Sequence, residues 1–136
     1  MRSRRTLLWN MILAAIGLKA REGCAQPADA RVREIGKQAL SGPFAGMEAS
    51  LVEVSYPPGG RSAEHRHPGF IVGYVVEGQI RFGINNEAPR VLRAGEMFYE
   101  PSGALHSTSE NAQPGMPAKI LALMVAPQGR PVVEPK

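Results

Sequence analysis

The residues best suited to chemistry are three histidines, His65, His67 and His106. Two of them form the run His65-Arg66-His67. In a strand, residues i and i+2 share a face, so both imidazoles can converge on one point while Arg66 turns away. Neutral imidazole suits zinc, copper, iron and nickel, so a convergent pair can hold an ion. Taken alone, a His-x-His pair is weak evidence. The residues around it strengthen it. Gly59 lies six residues before His65, and Gly78 lies eleven after His67. Gly95, Pro101, Gly103 and His106 then follow one another at intervals of six, two and three.

These two runs resemble the paired motifs of the cupin superfamily, G-x5-H-x-H-x3,4-E-x6-G and G-x5-P-x-G-x2-H-x3-N. The likeness covers residues 45–126 and is greatest to small single-domain members of the quercetin-dioxygenase-like kind. It implies an all-β fold, a single antiparallel β-barrel or jelly-roll of six to eight strands (the RmlC-like cupin architecture). It also implies a divalent metal ion held by His65, His67 and His106 at the barrel mouth. Iron is the leading expectation, with manganese, nickel or zinc as alternatives.

Two positions depart from the pattern. The motif glutamate falls on Ile71, which cannot bind a metal, and the motif asparagine falls on Glu110, with Asn111 one residue late. Three imidazoles can still hold an ion and leave positions open. Such a site keeps the ion's full charge for an anionic, chelating ligand to neutralise. Glu100, in Phe98-Tyr99-Glu100-Pro101, is the candidate catalytic carboxylate. It could complete the metal sphere or serve as a general base. Strand parity cannot decide which way it faces, because the loop after Pro101 breaks the alternation.

The elements that must position these groups are short. Strands are expected at 51–56, 71–76, 79–84, 89–93, 97–100, 105–109 and 118–126, separated by Gly, Pro and Asn. Glu77-Gly78 and Asn85-Asn86 read as turns. The apolar run Ile71–Val76 reads as a strand covered on both faces. If Ile71 faces inward, so do Gly73 and Val75, leaving a small apolar space beside the metal. Met97, Phe98, Tyr99, Leu121 and Leu123 are the candidates to line the rest.

Residues 1–25 are expected to lie outside the fold. Arg2, Arg4 and Arg5 precede an apolar stretch, Leu7 to Leu18, too short for the roughly 20 residues a bilayer span needs. Gly23 and Ala25 suit a cleavage before Gln26. Ser3-Arg4-Arg5-Thr6-Leu7-Leu8 is similar to the twin-arginine export motif. The expected product is periplasmic or secreted, its signal removed and no stable membrane span left. Residues 26–44 then supply an N-terminal strand and linker, 45–126 the barrel, and 127–136 a C-terminal tail.

The whole chain has 136 residues and a formal charge of +4, which invites a nucleic-acid or membrane reading. Five of its sixteen basic residues and one of its twelve acidic ones fall within 1–25, leaving eleven of each. No nucleic-acid partner is therefore expected. The single Cys excludes a disulfide framework and a cysteine zinc module. The expected function is metal-dependent binding of, or action on, a small organic anion, with dioxygenase-type chemistry leading. A lyase or isomerase using the metal as a Lewis acid, or a non-catalytic binding or sensor barrel, fits the same residues. A homodimer paired through residues 32–40 is a further expectation.

Overall fold

Turns set the path of the chain. The computed structural model describes residues 29–136, so the expected export signal and Cys24 lie outside the described residues. Gly78 turns the chain at φ +73°, where an added Cβ would press on the Pro117 carbonyl. Asn85 makes the next turn at φ +52° and uses its side-chain oxygen to accept the Leu105 amide at 3.0 Å.

Ten strands result among the described residues, all paired antiparallel. One sheet runs β1 (Arg31–Ala39), β2 (Met47–Tyr56), β9 (Ala118–Pro127), β4 (Phe70–Glu77), β7 (Met97–Glu100). The other runs β10 (Glu134–Pro135), β3 (His65–Arg66), β8 (Leu105–Asn111), β5 (Gln79–Ile84), β6 (Arg90–Arg93). The order 2-9-4-7 opposite 3-8-5-6 is an eight-stranded jelly-roll, with β1 and β10 added at its edges. The all-β antiparallel expectation is met. No α-helix occurs among the described residues, only a three-residue 3-10 turn at Gly42–Phe44.

The core lies between the sheets. Val52, Val54 and Tyr56 of β2, Ile71 and Val75 of β4, and Ile120, Ala122 and Met124 of β9 meet Ile80, Phe82 and Leu92 of the second sheet. The Phe82 and Phe98 rings, 4.8 Å apart, bridge the two layers. Period-two alternation decides which residues take part.

That alternation corrects two expectations. Strand β4 is covered on one face only, since Val72, Tyr74 and Val76 are exposed on the other. Met97, Tyr99 and Leu123 also lie exposed on the outside, and Leu121 shares their parity, so only Phe98 of the five candidates lines the interior. An apolar run cannot by itself separate a strand buried on both faces from one with an apolar outer face.

Candidate metal centre

Strands β3 and β8 bring the histidines together. His65 and His106 are direct cross-strand partners, and His67 follows β3 on the same side as His65. Each ring offers a nitrogen, and the three nitrogens lie within 4.8 Å of one another. His106 gains its aim from a bulge. Gly83 pairs with Thr108 but Ile84 pairs with His106, so Ser107 is an extra residue in β8. The same extra residue accounts for the late asparagine. Asn111 is buried, and its Nδ2 donates to the carbonyls of Pro57 (3.2 Å) and Met116 (2.6 Å).

Hydrogen bonding fixes what two of the rings present. His65 Nδ1 lies 2.7 Å from the Ala63 carbonyl, and His67 Nδ1 lies 2.5 Å from the Val132 carbonyl. A carbonyl can only accept, so both Nδ1 atoms carry protons and both Nε2 atoms carry lone pairs when the rings are neutral. Those two Nε2 atoms face each other at 3.1 Å. Two lone pairs at that distance repel, and a proton shared between them would charge one ring. Burial holds His67 below the ordinary histidine value, which opposes that charge. His106 is buried with both ring nitrogens unpartnered. Burial, helped by the neighbouring His65 and His67, pulls it down to about 3. Convergent and lacking a shared donor, this trio fits a cation.

Glu100 faces inward and is only 2% exposed. Its Oε1 lies 3.2 Å from His106 Nδ1 and its Oε2 lies 3.7 Å from His67 Nε2, while Oε2 has no hydrogen-bond partner. Burial pushes its carboxyl up to about 7. The contact with His106 has ion-pair geometry, but burial disfavours charge on both groups.

The histidines open on a cavity of about 550 Å³ walled by Val52, Val54, Ile71, Phe98, Ile120 and Ala122. The apolar space expected beside Gly73 is filled, because the Phe98 ring stands where a Cβ at Gly73 would be. Tyr56, also on the cavity wall, shares a 2.5 Å hydrogen bond with Ser109 Oγ, and burial raises its hydroxyl above the ordinary tyrosine range. Arg61 and Lys136 lie at the exposed rim.

Sequence reasoning missed Tyr56 and Val132. Alternation along β2 could have placed Tyr56 inward with Val52 and Val54. Val132 acts through its backbone carbonyl, sixty-five residues beyond His67, and no side-chain pattern announces it.

Known proteins are similar to this chain over part of its length. The family profile described as "Cupin domain" matches residues 52–124, more than half of the chain. Germin-like protein subfamily 2 member 2 of Arabidopsis thaliana is 32% identical over 81 residues, covering 56% of this chain and 36% of that protein. Dimethylsulfoniopropionate lyase DddQ of Ruegeria pomeroyi is 31% identical over 75 residues, covering 55% and 37%. The structure of recombinant oxalate oxidase in complex with glycolate superposes with a TM-score of 0.62 at 26% identity, covering 82% of this chain and 57% of that one. The chain thus spans little more than a third of the length of the two curated relatives.

Proposed function

The chain belongs to the cupin family, and from that premise we propose that it is a metal-dependent oxidoreductase acting on a small organic anion with dioxygenase-type chemistry. The observation that carries this reading is the convergence of His65, His67 and His106 on a largely apolar cavity. Iron is the first candidate, with manganese, nickel or zinc as alternatives. His65 and His67 would bind through Nε2, with His106 as the third nitrogen donor. A divalent ion there would supply Lewis acidity toward the anion.

The protein's own groups perform the rest. The Ala63 and Val132 carbonyls lock the imidazole orientation. Val52, Ile71, Phe98 and Ile120 exclude water from the bound anion. Arg61 at the rim can pair with an anion, while Asp29 and Glu64 on the same rim balance its charge and that of Lys136. The Tyr56 hydroxyl stays protonated and, with Ser109, can donate a hydrogen bond into the cavity. Support for the substrate class comes from likeness to a protein crystallised with glycolate.

A lyase reading has its own observation. The cavity holds two buried proton carriers, Glu100 and Tyr56, and one relative is named a lyase. Anaerobic titration of the metal-loaded protein with chelating organic acids, followed by admission of oxygen, separates the readings. Oxygen uptake coupled to loss of the acid supports the oxidoreductase. Turnover without oxygen supports the lyase, and tight binding without turnover a sensor or binding barrel.

We further propose that the protein is exported as a periplasmic or secreted product by the twin-arginine route, with residues 1–25 as its address, and that it forms a homodimer. All nine residues of β1 are exposed, including Val32 and Ile35. Along the outer face of the same sheet, Tyr99, Val72 and Leu123 stand opposite one another across β7, β4 and β9, as do Met97 and Tyr74. Glu53 pairs with Arg33 and Lys119 at the margin. An uncharged apolar face with a charged rim suits a second copy of itself, packed sheet on sheet about a two-fold axis.

A further inference from the structure

We infer that Glu100 is the fourth protein ligand of this centre, supplied from β7 in place of the carboxylate that β4 lacks at Ile71. The inference rests on the metal-centre reading above and names a residue that reading does not need. Its ground is the register of two neighbouring strands. Ile71 and Glu100 are direct partners in the antiparallel β4–β7 ladder. Directly opposite residues in such a pair point to the same face, with Cβ atoms about 4.5–5.5 Å apart. A carboxylate at either position therefore serves the same volume of the cavity. Both residues are buried there, Ile71 at 1% and Glu100 at 2% exposure.

The histidine spacing agrees with a shared ligand shell, and the Glu100 carboxylate stands slightly outside it, within reach of a small side-chain movement. Two ligands each about 2.1 Å from one ion stand about 3.0 Å apart at a right angle and about 3.4 Å apart at the tetrahedral angle. His65 Nε2 and His67 Nε2 are 3.1 Å apart, and Glu100 Oε2 is 3.7 Å from His67 Nε2. That oxygen is buried, has no hydrogen-bond partner, and lies beside the lone pair that the Val132 carbonyl leaves free on His67. A cation answers both needs at once. Bound Glu100 would also lower the centre's charge from +2 to +1, which favours monoanionic chelators over dianions.

The test compares full-length protein carrying Glu100→Gln with the relocated double variant Ile71→Glu, Glu100→Leu. Mn(II) affinity is read by competition with a chromogenic chelator. Wild-type protein should bind one Mn(II), Glu100→Gln should bind at least about tenfold more weakly, and the relocated variant should recover most of the loss. Equal affinity in wild type and Glu100→Gln overturns the inference and leaves the three-histidine centre standing. Loss in Glu100→Gln without recovery in the relocated variant makes Glu100 a positioning partner of His106, and also overturns it. Failure of the wild type to bind Mn(II), Fe(II), Ni(II) or Zn(II) instead overturns the metal centre itself. A measurement free of substitutions runs alongside: Mn(II) added to wild type should shift a buried carboxylate stretch in the infrared difference spectrum. Absence of any shift on a protein that binds Mn(II) contradicts ligation by Glu100.

Discussion

At the scale of single residues, the centre depends on where protons are not. The Ala63 and Val132 carbonyls each take an Nδ1–H, which turns two Nε2 lone pairs toward one another. This arrangement is poor for an empty protein and good for a cation-loaded one, so the metal should act as a folding ligand. At a free metal concentration one hundred times Kd, the gain is about 2.7 kcal/mol. We expect thermal unfolding of wild type to shift upward accordingly on adding Mn(II). His65 is only half-buried, so His65→Ala should cost the metal-free fold about 1 kcal/mol or less while abolishing the metal-dependent shift. A His65→Ala protein that still gains stability from Mn(II) would reduce His65 to a bystander. The residue types and spacings made the trio legible in advance. The direction of Glu100 was not, because it depends on register with Ile71 and not on its own neighbours in sequence.

At the scale of elements, the C-terminal segment contributes more than its length suggests. Residues 134–135 pair with β3 as β10, and the Val132 carbonyl just before them orients His67. Arg130 pairs with Glu134 within the segment, and Lys136 ties it to Glu64 at 2.6 Å. Ending the chain after Pro131 should leave the jelly-roll folded, because its core strands are complete by Pro127. Metal affinity should nonetheless fall about 10- to 100-fold, the usual cost of losing a partner of a ligating histidine. Unchanged affinity would mean that Val132 does not orient His67. Gly73 gives a second test. Its missing Cβ leaves room for the tip of the Phe98 ring, so Gly73→Ala should destabilise the fold by about 1–3 kcal/mol in chemical denaturation. Wild-type stability there would contradict the packing. Most of the strands were readable from alternation and turn residues, and β5 and β7 fall where expected. Two features were not readable. β10 is held by long-range pairing alone, and the bulge at Ser107 becomes visible only against the register of β5.

At the scale of the whole molecule, the outer face of the first sheet is apolar and exposed. Tyr74 and Leu123 lie in its middle, 49% and 38% exposed. The proposed homodimer predicts twice the chain mass in solution and its loss in Tyr74→Lys, Leu123→Lys, checked by sedimentation equilibrium. A monomeric wild type would contradict it. Charge was informative at this scale only after it was located, since the excess belongs to residues 1–25 and the remainder is balanced. The apolar pattern of β4 was informative too, but ambiguous. The chain itself buries one of the strand's two faces, and the proposed homodimer would cover the other. The cavity between the sheets is where all three scales meet, and its metal is the claim on which the rest depends. The most direct measurement is the metal content of full-length wild type and of His106→Ala, by elemental analysis after anaerobic loading with Fe(II) and removal of excess. The account predicts one ion per wild-type chain and none in His106→Ala. A wild-type chain that retains none of Fe(II), Mn(II), Ni(II) or Zn(II), or a variant that retains as much as wild type, would contradict it.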